Sequence, residues 1–329
     1  MSAVAPRTAL KARLPELRHN RSLIINGSFV IAFIVLVIVA AFTSDAFLTQ
    51  SNFTNLLRQM VTTGLLALGM LIVILTGGID LSVGSIVALT GIMAAGLSAH
   101  LPVPVAMAAA VVIGMACGSA NGVLVARFRL APFVVTLGAL TTIRGLTYVY
   151  SETPITPLKP GFLSLGTNTV GPIPVAAIVM LAAFAVAGVF LARTPSGRAL
   201  IAIGGNREAV RLAGIGVSRH LLAAYVISGF CAGLAGVILA SRVGIAQPSV
   251  AVGFELNAIA ACVIGGASLF GAKGGAFGAA AGALIVGTLN NGGNLLAVNA
   301  FYLQIIIGAL ILAAVAFDQW QSKRARASG

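Results

Sequence analysis

The chain is poor in charge, and poorest in acid. Only 8% of its 329 residues are Asp, Glu, Lys or Arg, and just seven are acidic. Soluble domains carry about 25% charged residues, so this composition excludes an ordinary soluble fold. The few acids supply no paired carboxylates on one helix, an arrangement that acid–base catalysis often uses. Histidine is equally scarce: His19, His100 and His220 fall near expected loops or helix ends and form no catalytic or metal cluster. Cys117, Cys231 and Cys262 lie inside apolar segments without metal-ligand spacing, and read as small packing residues. Familiar motifs are missing too, among them H-E-x-x-H and G-x-S-x-G. The nearest approach to a phosphate-binding loop is GASLFGAKGG (266–275). Its Lys273 comes one residue late, and Gly274 stands where a magnesium-binding hydroxyl belongs. These absences argue against an enzyme, and against ATP, any cofactor or a metal being bound by this chain.

What is present is apolar sequence, 59% of all residues. Its runs predict an all-α polytopic membrane protein of about ten transmembrane helices of roughly 20 residues each. They are placed at about 23–42, 56–76, 84–100, 104–126, 132–150, 172–192, 220–240, 256–269, 275–290 and 301–317. The eighth and ninth are short and rich in glycine. The run from Leu23 to Phe42 is too long for a signal-peptide core and reads as a retained first helix. The chain thus divides into a basic tail (1–22), a transmembrane domain (23–318) and a second basic tail (319–329).

Charge sets the orientation. With the N-terminus inside, the inner segments hold Arg7, Lys11, Arg13, Arg18 and Arg21, Arg127 and Arg129, the arginines of loop 193–219, and Lys273, Lys323, Arg324 and Arg326. The outer side keeps only Arg58, Lys159 and Arg242, and Arg144 falls within a helix. This satisfies the positive-inside rule and puts both termini in the cytoplasm. It also accounts for the net charge of +13 without a nucleic acid partner.

Two loops are long: 151–171 outside and 193–219 inside. In the inner loop, NREAVRLAG fits a short helix. Asn206 caps it, Glu208 sits in the first turn, Arg211 lies near its end, and Gly214 stops it. Glycines recur at four-residue spacing: Gly114, Gly118 and Gly122; Gly229 and Gly233; Gly278 and Gly282. Such spacing lets helices approach closely in lipid.

The stretch TGGIDLSVGSIVALTG (76–91) places Asp80 between two strongly apolar segments. Together with PFVVTLGALTTIRG (132–145), GRALIAIGGNREAVRLAGIGV (197–217) and ELNAIAACVIGGASLFGAKGGAFGAAAGALIVGTLNNGGNLL (255–296), it resembles the membrane permease subunit of bacterial ribose-type ABC sugar importers, in the branched-chain/ribose permease superfamily. The resemblance covers roughly residues 50–315. It implies a protein of the bacterial inner membrane that moves a monosaccharide or related small polyol. Its partners would be a second permease subunit, a cytoplasmic ATPase that consumes the ATP, and an extracytoplasmic sugar-binding protein. The resemblance makes loop 193–219 the coupling loop, with Asn206, Glu208, Ala209, Arg211 and Gly214 at the ATPase. Other ABC permeases carry E-A-A-x-x-x-G there; Glu208, Ala209 and Gly214 match and Val210 departs.

Two roles fit Gly77, Gly78, Asp80 and Ser82: a turn in which Asp80 or Ser82 caps the third helix, or a hinge near the inner gate. A neutral sugar needs sparse polar groups along its path. Asn121, Thr136, Asn257 and Asn290 are the leading candidates, with Thr141 and Asn294 besides; interhelical bonding fits each equally. Arg144 either lies near the outer third of its helix and snorkels or pairs with an acid, for which Glu255 and Asp80 are the candidates. An ion-coupled secondary carrier is the competing reading, although such carriers place acids within their helices.

Overall fold

The computed structural model describes residues 33–35 and 37–327. The N-terminal tail and the start of the helix expected at 23–42 lie outside the described residues. Among the described residues the regular structure is helical, except for one hairpin of two-residue strands and an isolated bridge between Ile155 and Ala246. In order it forms α1 (Phe33–Thr43), α2 (Gln50–Leu75), α3 (Val83–Leu97), α4 (Val103–Ala126), α5 (Pro132–Tyr150) and α6 (Pro160–Thr167). The hairpin β1 (Thr169–Val170) and β2 (Ile173–Pro174) leads into α7 (Val175–Arg193), α8 (Pro195–Gly205) and α9 (Arg207–Leu212). Then come α10 (Val217–Val243), α11 (Phe254–Ile264), α12 (Ala276–Leu295) and α13 (Ala300–Ala327).

Five of these helices, α2, α4, α5, α7 and α10, are long and apolar enough to cross a membrane; α1, α3, α11 and the first part of α13 are shorter apolar helices. The fold is that of an all-α membrane protein. Its outer helices expose Val112, Val134 and Val189. An apolar outer surface is ruinous in water and suits a hydrocarbon solvent, where only backbone-satisfied helices persist.

Local chemistry starts and stops the helices. Proline begins α5, α6 and α8, where its missing N–H leaves no intrahelical bond unmade. Thr49 caps α2 by accepting from the Asn52 N–H at 3.2 Å, so the helix starts at Gln50, six residues before the expected 56. Three other boundaries depart from the expectation by five residues or more. The helix expected to reach 269 stops at Ile264, before Gly265 and Gly266. The next continues beyond 290 to Leu295, and the last runs to Ala327 through the stretch read as a tail. Both long loops contain structure that their prolines and glycines concealed: α6 and β1 in 151–171, and α8 before the expected short helix in 193–219.

Helix α2 is the centre of the bundle, buried continuously from Gly64 to Leu75. It packs against α10, α12, α11 and α7. The most extensive pair is α4 with α10. There the spaced glycines meet: a β-carbon on Gly114 would lie 2.6 Å from the Gly229 carbonyl oxygen, and one on Gly118 would collide with that of Tyr225. Gly278 and Gly282 of α12 meet Gly265, just past the end of α11, and Ala261 within it in the same manner. Close backbone approach replaces the hydrophobic driving force that lipid cannot supply.

Candidate functional site

Three places in the bundle collect polar groups: the break between α2 and α3, a cavity at the opposite end of α2, and the loop carrying α8 and α9.

The break begins with a Schellman turn. The Gly78 N–H donates to Val73 O at 3.2 Å and the Gly77 N–H to Ile74 O at 2.8 Å, bonds that satisfy the last carbonyls of α2. Gly77 takes φ +77°, and a β-carbon on Gly78 would lie 2.7 Å from the Tyr225 hydroxyl. Asp80 follows, fully buried. Its Oδ1 accepts from the Ser82 N–H at 3.1 Å and the Ser82 hydroxyl at 2.6 Å, and its Oδ2 accepts from the Ser228 hydroxyl of α10 at 2.8 Å. Ser82 Oγ in turn accepts from Asn121 Nδ2 of α4 at 2.8 Å. This corrects the capping expectation. Ser82 is the N-cap residue of α3, but its side chain caps nothing. Asp80 bonds the Ser82 N–H rather than the N–H groups of the first helical turn. The carboxylate is a junction between the break, α4 and α10. Thr136 braces the same break, its hydroxyl 3.1 Å from Ile79 O and 3.0 Å from Pro132 O.

The cavity has a volume of about 510 Å³. One wall is a stripe on α2: Asn55, Arg58, Gln59, Thr62 and Thr63, at the three- and four-residue spacing that puts side chains on one helix face. Leu239 and Arg242 of α10, Phe254 and Asn257 of α11, and Asn290 and Asn294 of α12 complete it. Most of these groups are neutral amides and hydroxyls, able to donate and accept. Asn290 Nδ2 bonds Val286 O at 3.0 Å, and the buried Thr62 hydroxyl has no partner. The structure therefore divides the four leading path candidates. Asn257 and Asn290 line the cavity; Asn121 and Thr136 hold the break. Thr141 bonds back to Gly138 O within α5.

Residues 52–315 match the family described as branched-chain amino acid transport system / permease component. The chain belongs to that family. It is 46% identical to the ribose import permease protein RbsC of Bacillus subtilis (strain 168), over 88% of this chain and 91% of that one. It is 40% identical to the D-allose transport system permease protein AlsC of Escherichia coli (strain K12), over 90% and 92%. With the L-arabinose ABC transporter permease protein AraH of Azospirillum brasilense it shares 38% identity, over 93% and 91%. No solved structure matches it.

In this permease, α8 and α9 lie at the end of α2 that carries the break. Thr194 caps α8 by accepting from the Gly197 N–H at 3.0 Å. Asn206 caps α9 by accepting from the Ala209 N–H at 3.0 Å. Arg211 Nε donates to Glu208 Oε2 at 3.0 Å, and the fork's second bond reaches Oε1. These bonds hold the exposed Glu208 carboxyl below its usual range. Gly214 takes φ +78° after the last turn, the stop expected of it. The loop is tied to α2 directly: Arg207 Nη2 donates to Thr76 O at 3.2 Å, and a β-carbon on Gly204 would strike Leu75 O.

Arg144 bonds neither suggested acid. Its Nη1 donates to the carbonyls of Pro248 and Val250, at 2.7 and 2.8 Å. Sequence reasoning placed Arg58 and Arg242 only on a topological side, and passed over Asn55, Gln59, Thr62 and Thr63. The helical spacing of that stripe was the signal that could have found them.

Proposed function

We propose that this permease is the membrane-spanning subunit of an ABC importer that carries a monosaccharide or related small polyol into a bacterial cell. The cavity carries the reading. It is of the size of small-molecule sites, about 300–1,000 Å³. Its amides and hydroxyls match a solute made of hydroxyl groups. The printed names of the relatives, ribose, allose and arabinose permeases, support the same class of solute.

The rest of the arrangement follows from that reading. About ten spans cross the inner membrane with both termini in the cytoplasm. The cavity then faces outward, toward a sugar-binding protein. The opposite end, with α8 and α9, faces a separate ATPase, and a second permease subunit completes the path. Asn206, Glu208, Ala209, Arg211 and Gly214 form the ATPase contact. The segment Gly77, Gly78, Asp80 and Ser82 is a hinge, linked to that contact through Arg207 and Thr76. Asn257 and Asn290 touch the solute, while Asn121 and Thr136 support the path from the hinge.

Reconstitution tests this directly. Place the permease in vesicles with its ATPase and binding protein, and measure sugar uptake. ATP-dependent uptake is expected. Uptake by this chain alone under a proton or sodium gradient would instead make it an ion-coupled carrier, with Asp80 as its acid.

A further inference from the structure

The cavity carries charge of one sign. Arg58 and Arg242 both line it, and among the described residues no Asp or Glu does. Glu255 is adjacent in sequence to Phe254 of the wall, but its carboxylate lies against Gly84 of α3. Among the described residues the one ion pair is Glu208–Arg211, at the far end of α2. The two guanidiniums are held by carbonyls instead. Arg58 Nη2 donates to Thr167 O at 2.8 Å, and Arg242 Nη1 to Arg58 O at 3.0 Å. A guanidinium has five N–H donors and stays charged in proteins, so these bonds fix its place without neutralising it. Arg58 Nε is buried without a partner.

Two fixed positive charges in one recess add their potentials, and the low-dielectric protein around the recess focuses the field. A sugar hydroxyl can accept from a guanidinium, and an anion is attracted to it. An ammonium or alkali ion finds repulsion and no matching carboxylate. Arginine at a constriction is a known way to exclude cations from a membrane path.

We propose that Arg58 and Arg242 form a charge filter in the solute path: neutral and anionic polyhydroxy solutes enter the cavity, and cations, protonated amino sugars included, are turned away. The filter rests on the cavity belonging to that path. It would let the importer open to a sugar without admitting the ions whose gradients the membrane stores.

Thiol accessibility tests the field. Introduce Asn257→Cys into a chain in which Cys117, Cys231 and Cys262 are replaced by alanine, and assemble the whole transporter in proteoliposomes. Measure modification rates with sulfonatoethyl methanethiosulfonate, an anion, and its trimethylammonium analogue, a cation. The reference is N-acetylcysteinamide, a neutral thiol in solution. At low salt the anion-to-cation rate ratio is expected to exceed the reference by about tenfold, a difference that Coulomb interactions with two nearby charges can supply. Added salt should shrink it. Arg58→Gln and Arg242→Gln should each lower the ratio toward the reference, and Arg58→Lys should preserve it. A parent ratio equal to the reference overturns the filter, and that comparison needs no arginine variant to assemble. So does a ratio unmoved in both glutamine variants. Sugar uptake is measured in parallel vesicles that hold the unsubstituted chain: ATP-driven uptake without the rate difference removes the filter alone, and the rate difference without ATP-driven uptake removes the importer reading.

Discussion

Ser228 donates to Asp80 across 2.8 Å, joining the middle of α10 to the break between α2 and α3. Both residues are wholly buried. The bond belongs to a chain that continues through Ser82 to Asn121, so removing the carboxylate strands several donors at once. Stranded buried donors cost about 1–3 kcal/mol each. Asp80→Ala is expected to lower the unfolding temperature and to abolish uptake in the fraction that still assembles. Ser228→Ala, which removes the donor to Oδ2 and leaves the two donors to Oδ1, should do less of both. Asp80→Ala with normal uptake per assembled complex would reduce the junction to a structural brace.

A second pair allows a cleaner energetic test. Asn52 and Asn291 exchange reciprocal amide bonds of 3.0 and 2.9 Å between α2 and α12. Asn52→Leu alone leaves Asn291 buried and unpaired, and should destabilise by about 1–3 kcal/mol. The double variant with Asn291→Leu should lose less than the sum of the single losses, because neighbouring partners are not additive. Thermal unfolding of the four proteins in detergent measures the coupling; strict additivity would show that the amides act independently.

The glycine seam of α4 and α10 sets a third expectation. Gly118→Ala places a methyl group against the Tyr225 carbonyl. Overpacking of this kind costs about 1–3 kcal/mol. Gly138→Ala is the control, since nothing lies within 4 Å of a β-carbon there. Thermal unfolding should separate the two variants; equal stability would mean that the seam opens without penalty.

For the contact proposed with the ATPase, Asn206→Ala removes the α9 cap and should weaken that helix by about 0.5–2 kcal/mol. Glu208→Arg and Gly214→Pro should go further, leaving the permease inserted while ATP hydrolysis no longer drives uptake. Normal coupling in all three variants would assign the contact elsewhere.

The same ion pair predicts a pH profile. Glu208 has a depressed pKa, owing chiefly to its hydrogen bonds from Arg211. Its contribution is complete above the ordinary carboxylate range and disappears as pH falls through the depressed value. Coupled uptake should therefore stay level from neutral pH to about pH 5, and fall in stronger acid. Arg211→Gln lets Glu208 titrate in its ordinary range and should move that fall to higher pH. Coincident profiles for the two proteins would deny the pair a role in coupling.

The long spans were legible because each is a sustained apolar run, and the seam because glycine at four-residue spacing has one plain use in lipid. The α9 cap, pair and stop could be read from NREAVRLAG because they are local. The two roles of buried asparagine could not. Asn121 and Asn257 sit in similar apolar surroundings in the sequence, and only packing sends one to the Asp80 junction and the other to the cavity. Arg58 and Arg242 are hidden for another reason: in the sequence they read as surface charge that orients the chain, and only the packing of α2 against α10 turns them into lining. Helix α8 escaped because PSGRALIAIGG carries glycine near both ends, and its hold on α2 is a tertiary contact.

Helix α2 runs unbroken for 26 residues, about 39 Å at 1.5 Å per residue. Its first turns form a cavity wall, and its last carbonyls are gripped by Arg207 and Ala272. A rod clasped at one end and lining a recess at the other behaves as a lever. One continuous hydrogen-bonded element therefore joins the loop to the cavity, and a displacement imposed at the loop would need no other part to carry it there.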